Sequence, residues 1–441
     1  MNEILLKHNP CWSGAQKPEG VRREILNRLV EAISVRHVVA ISGSRRSGKS
    51  FLFRQLQLHL LRMGTPKENL LEINFEDPYF IHRKDDEKLL DDLYSSYLIL
   101  KNPKAKKYLF FDEIQNLKGW QHWVRELYDR DENVKIFITG SNAELLSVEL
   151  SSHLTGRVIS FENFPFSFSE LLKAKREDFM QSDSMQELIE KNFKIKEILL
   201  HHLEGCFSKS FFPEICVIEN EELASDILKQ YFSNVIFKDI VPRFSIRNAK
   251  VIEELSYFLS TNFASEFNAN GLAKIVGSNE NTIKEYVNYL EKAYLFFTVP
   301  HFDFSIKKQI KRSKKTYIND VGLRTATAFQ FSPDAGRYVE NIVFNHLRRQ
   351  NSAVYYWKSK THKEIDFVVQ NKGQKIGFNV CYSDALPDRE FQGFIDGAQE
   401  GLGLQRNIII SKNRYDKILQ NNVQIEIIPV WAFLLKANIF D

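Results

Sequence analysis

The sequence predicts an α/β chain built on a parallel sheet and followed by smaller C-terminal units, and three observations carry that prediction. Short apolar, β-branched runs alternate with helical patterns between residues 37 and 140. A glycine-bounded loop, Gly43-Ser44-Arg45-Arg46-Ser47-Gly48-Lys49-Ser50, joins the first apolar run to the first helix. A later run, Tyr108-Leu109-Phe110-Phe111, ends in two adjacent acids, Asp112 and Glu113.

The composition narrows the class. With 441 residues, 43% of them hydrophobic and 26% charged, the chain is long enough for several domains with cores of their own. Its 35 phenylalanines coincide with expected strands and helix faces and read as core filling. Cys11, Cys206, Cys216 and Cys381 fall at no metal-binding or paired spacing, which fits a reducing cytosol. No signal peptide opens the sequence, and charges break every apolar run short of a membrane span, so the expectation is a cytoplasmic protein without a membrane partner. A net charge of +4 is too small to argue for a polyanionic partner by itself.

Each element of the first unit follows from its residues. His37-Val38-Val39-Ala40-Ile41-Ser42 reads as a buried strand, and Leu52, Phe53, Leu56 and Leu60 recur at helical spacing until Gly64. Strand, glycine-bounded loop and helix is the arrangement in which backbone amides and a helix N-terminus point at phosphates. The expected ligands are ATP and Mg²⁺, held by Gly43 through Ser50 and the adjoining Phe51. Lys49 would reach the β- and γ-phosphates, and the Ser50 hydroxyl would ligate Mg²⁺. An acid at the end of a strand in an α/β sheet faces the ligand crevice. Asp112 is therefore expected to hold Mg²⁺ through water, and Glu113 to polarise the attacking water. A third strand, Val134 to Thr139, runs into Gly140-Ser141-Asn142, where Ser141 or, preferably, Asn142 would sense the terminal phosphate; a cap on the helix that follows is the other reading. Leu71 to Asp77 is a further strand whose acids read as structural. Arg157 is a candidate to reach the γ-phosphate, most naturally that of a neighbouring subunit in an oligomer, with Arg45 and Arg46 as rivals.

These motifs resemble the predicted AAA-type P-loop ATPases of bacteria and archaea, which join such a domain to a C-terminal region of uncharacterised function. The marks are residues 43–50, Asn74-Phe75-Glu76-Asp77, Phe111-Asp112-Glu113-Ile114-Gln115 with Trp120 and Trp123, Thr139-Gly140-Ser141-Asn142, Leu154-Thr155-Gly156-Arg157 and Phe164 to Leu171. The resemblance spans nearly the whole chain. The resemblance implies an ATPase core with a helical lid, a winged helix-turn-helix and a restriction-endonuclease-like end. The expected divisions are an N-terminal arm at 1–20, the core at 21–168, the lid at 169–245, the winged helix-turn-helix at 246–325 and the endonuclease-like domain at 330–441.

Beyond the core, residues 169–208 read as amphipathic helices around a charged stretch, and Pro242 suggests a break. Helices at 251–263, 271–276 and 280–293 precede two strands, 296–304 and 315–318, expected to pair as a wing. Lys307, Lys308, Lys311, Arg312, Lys314 and Lys315 then lie at its tip, with no acid among residues 305–315, and make DNA a candidate partner. Protein docking is the competing use, because the third helix carries no net positive charge.

The C-terminal stretch reads as a helix at 337–349, strands at 354–357, 364–370, 374–382 and 407–411, and a crossing helix at 388–401. The endonuclease resemblance calls for an acid on one strand and an acid-x-lysine on the next, so that alternate residues share one face. Asp366 supplies the first acid, with Glu340 available from the helix. The second half reads Asn379-Val380-Cys381. Asparagine offers only a neutral carbonyl, cysteine supplies no ammonium, and Lys375 lies roughly 20 Å from Cys381 along the strand. Glu364, on the face of Asp366, replaces one ligand, and nothing nearby replaces the lysine. The expectation is a retired nuclease fold. The chain's expected activity is Mg²⁺-dependent ATP hydrolysis coupled to movement of DNA- or protein-binding domains, with a slow nucleotide-gated switch and an ATP-dependent nuclease as alternatives.

Overall fold

Val38-Val39-Ala40-Ile41-Ser42 forms a strand whose every residue is buried, the pattern of a strand covered on both faces. It is an interior strand of a fold described here from a computed structural model over residues 1–15, 18–141, 154–327, 335–350 and 353–440. The chain divides into two units, Met1–Pro165 and Phe166–Asp441. Among the described residues no helix is long and apolar enough to cross a membrane.

The first unit runs α1 (Asn2–His8), α2 (Leu26–Glu31), β1 (Val38–Ser42), α3 (Lys49–Arg62), β2 (Leu70–Asn74), α4 (Leu89–Lys101), β3 (Lys107–Asp112), α5 (Trp120–Arg130), β4 (Val134–Gly140) and β5 (Val158–Glu162). Its sheet has the order β2-β3-β4-β1-β5 and is parallel throughout. Because β4 lies between β1 and β3, the strand ends that carry the glycine-bounded loop and the two acids flank the end of β4. Aromatic residues join the layers. Phe110 of β3 stacks on its register partner Phe137 of β4 at 4.8 Å, and Phe53 of α3 meets Phe110 edge-on at 5.2 Å. Such pairs add ~0.5–1.5 kcal/mol beyond the area they bury.

The N-terminal residues are not an arm. Ile4, Leu5 and Trp12 are buried in the core, and the segment covers β2, an edge strand whose backbone would otherwise meet water. Asn9 binds the Glu72 backbone in both directions: its amide donates to the carbonyl oxygen at 2.9 Å and its Oδ1 accepts from the N–H at 2.6 Å. Trp12 Nε1 donates to Leu70 O at 2.9 Å, and the Asn74 N–H donates to His8 Nδ1 at 3.2 Å. A short N-terminal segment thus covers the edge of the sheet without adding a strand.

The second unit opens with a helix, Phe168–Ala174, held by a capping box of Ser167 and Glu170. Helices Met185–Asn192, Lys196–Ser208 and Glu221–Asn234 follow, the last continuing into a π-helical turn, Val235–Ile240, just before Pro242. Helices Ala249–Thr261, Ala269–Ile275 and Glu280–Lys292 accompany a three-stranded antiparallel sheet of β6 (Ser265–Phe267), β7 (Phe296–Pro300) and β8 (Lys314–Ile318), in the order β6-β8-β7. The β7–β8 connection contains a helix, Ile306–Lys311. After helix Ala335–Gln350 come β9 (Val354–Lys358), β10 (Glu364–Asn371), β11 (Gln374–Val380), helix Arg389–Gln399, β12 (Arg406–Ser411), β13 (Asp416–Gln420) and β14 (Val423–Pro429). Their sheet has the order β13-β14-β12-β11-β10-β9. The sequence reading stops at β12 and misses β13 and β14. Side chains of β8 reach helix Ala335–Gln350 across the expected boundary between residues 325 and 330.

Candidate active site

The loop after β1 is shaped by backbone conformations that few residues tolerate. Gly43 has φ +155°, and a Cβ there would lie 2.0 Å from the backbone oxygen of Asn163. Gly48 has φ 96° and caps α3 in the left-handed region, which glycine enters at no steric cost. The loop is also held from outside by two residues that no motif announces. Arg23, 4% exposed, donates through Nη1 to Ser47 O and through Nη2 to Phe164 O, both at 2.7 Å. Asn163 Nδ2 donates to Ser47 O at 2.9 Å and to Ser47 Oγ at 3.0 Å. Position 47 thereby becomes a fixed point of the loop.

The first residues of α3 meet the acids of β3 across the end of the sheet. Ser50 Oγ donates to Asp112 Oδ2 at 2.6 Å, and Thr139 Oγ1, at the end of β4, donates to Asp112 Oδ1 at 2.5 Å. Lys49 Nζ donates to Gly43 O at 3.1 Å and Ser44 O at 3.2 Å and lies 3.2 Å from Glu113 Oε1. Glu113 takes φ 52°, a left-handed conformation that costs a non-glycine residue ~1–3 kcal/mol and clusters at functional sites. Its N–H donates to Thr139 Oγ1 at 3.0 Å, while its Oε2 accepts from Gln115 Nε2 at 2.5 Å and from the Ser141 N–H at 3.1 Å.

Electrostatics separates the two acids. Burial, with the neighbouring charge of Glu113, pushes Asp112 up to about 6. Burial also opposes the charge of Glu113, but Lys49, Gln115 and Arg45 outweigh it and hold that carboxyl below its ordinary value. Glu113 is therefore the standing anion of the pair, and Asp112 the group whose charge depends on what binds beside it.

Two features of the site bear on a nucleotide and Mg²⁺. Ser44 Oγ is buried in the loop with no hydrogen-bond partner, a donor free for a phosphate oxygen. Ser50 and Asp112 form an all-oxygen donor pair of the kind Mg²⁺ takes. The residues fit both groups.

Other expected residues fall elsewhere. Arg45 is paired with Glu76 at 2.9 Å, which gives that acid a structural partner; Asp77 likewise binds Lys7 and His8 at 2.5 and 3.0 Å. Arg46 has φ 68°. Phe51 is 41% exposed, with the Arg54 guanidinium 4.4 Å from its ring. Asn142 lies outside the described residues, as does the helix it was expected to cap. Arg157 is corrected as a group acting within its own chain. Its carbonyl accepts from the Val38 N–H at 2.8 Å at the start of β1, so the length of β1, ~16 Å for five residues, separates its backbone from the loop. Its guanidinium is paired with Asp129 at 3.0 Å.

The basic stripe is corrected too. Lys307, Lys308, Lys311, Arg312 and Lys314 are exposed on helix Ile306–Lys311 and its flank. Lys315 is 4% exposed and faces carboxylates, not solvent. At the degraded nuclease site Asn379 is no metal ligand in waiting: its Oδ1 accepts the Asp366 N–H at 3.0 Å and its amide donates to Glu390 O at 2.8 Å. Burial pushes the half-buried Cys381 thiol up to about 11, away from reactive thiolate character.

A parallel sheet, a glycine-bounded loop running into a helix and an acid-ended strand beyond the neighbouring strand define a P-loop NTPase domain of the AAA type, a nucleotide-binding domain. Comparisons agree. Residues 35–172 match the AAA domain family, while 201–334 and 335–433 match two domains of unknown function, DUF8612 and DUF4143. An uncharacterized protein of Methanocaldococcus jannaschii is 32% identical over 439 residues, covering 96% of this chain and 92% of its own. One from Haemophilus influenzae is 29% identical over 405 residues, covering 90% and 92%. The chain belongs to the family of archaeal and bacterial AAA-type ATPases with an uncharacterised C-terminal region. Among solved structures, AMPPCP-bound DnaA from Aquifex aeolicus overlaps it at 17% identity and a TM-score of 0.27, covering 63% of this chain and 90% of that one, too loosely to argue from.

Proposed function

We propose that this chain is a Mg²⁺-dependent ATPase whose nucleotide state moves C-terminal domains that bind DNA or a protein partner. The observation that carries the reading is the charged Glu113 beside the Ser50–Asp112 pair, with Lys49 between the acid and the loop. Lys49 would exchange the Gly43 and Ser44 carbonyls for phosphate oxygens. Glu113, kept anionic, would accept the proton of the attacking water. Ser50 and Asp112 would hold Mg²⁺, which supplies charge stabilisation at the transferred phosphoryl group. Asn142 and, from a neighbouring subunit, Arg157 remain the proposed sensor and finger.

Residues 249–318 fit a winged helix-turn-helix, three helices ahead of a small antiparallel sheet. The exposed lysines of helix Ile306–Lys311 supply the positive face for DNA. The six-stranded sheet with its flanking helices fits an endonuclease-like fold without nuclease activity.

One observation favours a slow switch as the second reading. Both oxygens of Glu113 already have partners, in Gln115, Ser141 and Lys49, so the base must release one of them before it can hold water.

Steady-state phosphate release, with and without duplex DNA at low and high salt, tests the proposal. Lys49→Ala should abolish turnover, and Glu113→Gln should cut it ~100-fold or more, the usual worth of a general base. Turnover unchanged in both variants refutes the ATPase. A single turnover with nucleotide retained selects the switch, and stimulation by DNA that fades with salt selects DNA over a protein partner.

A further inference from the structure

Lys315 is the second residue of β8, the central strand of the three-stranded sheet. Its ammonium lies 3.0 Å from Glu340 Oε1 and 3.4 Å from Asp366 Oδ1, and it also contacts Glu364 Oε1. Its side chain is 5% exposed. Tyr317, two residues on and on the same strand face, donates its hydroxyl to the same Glu340 oxygen at 2.7 Å. The second Asp366 oxygen accepts the Val380 N–H at 2.9 Å. Glu364 is also approached by Lys358, at 3.5 Å.

These are the carboxylates that an endonuclease-like fold would give to a divalent cation, and the residues do not fit one. The ammonium makes the contacts a metal would make, Asn379 is spent on backbone groups, and no set of three or more acidic, His or Cys residues among the described residues is arranged to hold a metal. Sequence reading leaves this cluster without its lysine because it looks for one on β11. The lysine arrives instead from a strand that precedes the cluster by 25 residues at Glu340 and 51 at Asp366.

We propose that Lys315 is a built-in counter-ion that takes the place of a divalent cation among Glu340, Glu364 and Asp366, closing this cluster to metal and fastening β8 to helix Ala335–Gln350 and β10. The proposal stands on these contacts alone and holds whether or not the sheet descends from a nuclease. The charge balance explains the exclusion. Glu340, Glu364 and Asp366 share Lys315, and the other ammonium at Glu364, Lys358, lies nearer Glu266, at 2.7 Å; without Lys315 the cluster gains a negative charge and an uncovered set of oxygens, which is what a hard cation needs.

Mn²⁺ binding to nucleotide-free protein, followed by electron paramagnetic resonance, tests this. Wild type should show no Mn²⁺ site that Asp366→Asn removes. Lys315→Met should gain one site, and Lys315→Met combined with Asp366→Asn should lose it again. A wild-type site sensitive to Asp366→Asn overturns the proposal, as does folded Lys315→Met that gains none. Should Lys315→Met unfold, adding Glu364→Gln and Asp366→Asn should restore the fold if the lysine balances charge; failure to restore it counts against the proposal. Metal-dependent DNA nicking by wild type, lost in Lys315→Ala, would make Lys315 a catalytic residue and also overturns it.

Discussion

Arg23 offers the sharpest test of how the phosphate loop is kept in shape. Its two donors reach Ser47 O and Phe164 O, each at 2.7 Å, from a side chain that is almost wholly buried. Arg23→Lys keeps the charge but replaces a planar fork with a single ammonium, which serves one of the two carbonyls at this geometry. Hydrogen bonds to a charged group are worth ~1.5–3 kcal/mol each, so the variant should lose about one such bond. If that loss falls on the binding-ready loop, nucleotide affinity drops roughly 10- to 150-fold, at ~1.4 kcal/mol per factor of ten. Asn163 donates to the same Ser47 oxygen at 2.9 Å. Arg23→Ala and Asn163→Ala should therefore couple, by ~0.5–3 kcal/mol in a double-mutant cycle, because each single variant leaves the other donor in place. Fluorescent-nucleotide titration gives the affinities, and urea unfolding shows whether each variant is folded. Folded Arg23→Lys and Arg23→Ala proteins that bind nucleotide within twofold of wild type would refute the reasoning.

Gly43→Ala should abolish nucleotide binding and lower stability by ~1–3 kcal/mol or more, the cost of overpacking, because its Cβ would meet backbone at 2.0 Å. Gly205→Ala, in a helix with open space around it, should instead raise the urea midpoint, as helix propensity favours alanine by ~1 kcal/mol. Asp112 predicts a pH signature. Its folded-state value lies above the ordinary one, so between about 3.8 and about 6 the native protein binds more protons than the unfolded chain, and its stability contribution, full below that window, is lost as pH rises through it. Asp112→Asn should therefore gain stability relative to wild type across that window; urea midpoints that keep a constant difference contradict the burial argument.

What was legible in the sequence is what neighbouring residues decide. The loop at 43–50 and the pair Asp112-Glu113 can be read because strand, turn and helix are local, and because the crevice lies at the strand ends of any such sheet. Arg23 and Asn163 act 24 and 116 residues from Ser47, and their positions carry no motif. Arg157 follows the expected sensor region in sequence, but β5 runs parallel to β1 from Val158↔Val38, so the residue before it lies at the amino end of the sheet. The N-terminal residues read as an arm because a seven-residue helix with charged ends offers little pattern, and their task, covering an edge strand, appears only with the sheet. Lys315 reads as one more member of a basic run. Strand pairing, not composition, separates the exposed Lys314 from its buried neighbour.

Lys49 and Lys315 both stand among carboxylates, and the contrast between them supports placing the proposed chemistry at the first. Lys49 stands at the start of a helix and divides its donors between two loop carbonyls and Glu113. Its carbonyl partners are neutral, so a phosphate oxygen, being charged, competes well for the same ammonium. Lys315 sits mid-sheet with carboxylates alone as its anionic partners. Those carboxylates and Tyr317 hold its proton well above the ordinary lysine range despite burial. Its partners already carry charge, and removing the ammonium leaves carboxylates unpaired, a loss that costs ~3–5 kcal/mol where such charges are fully buried and less where, as here, they are partly exposed. An ammonium that can change partners suits a reaction cycle, whereas one that cannot suits a fastening. The difference lies in the acceptors around each lysine, since the two side chains have the same chemistry.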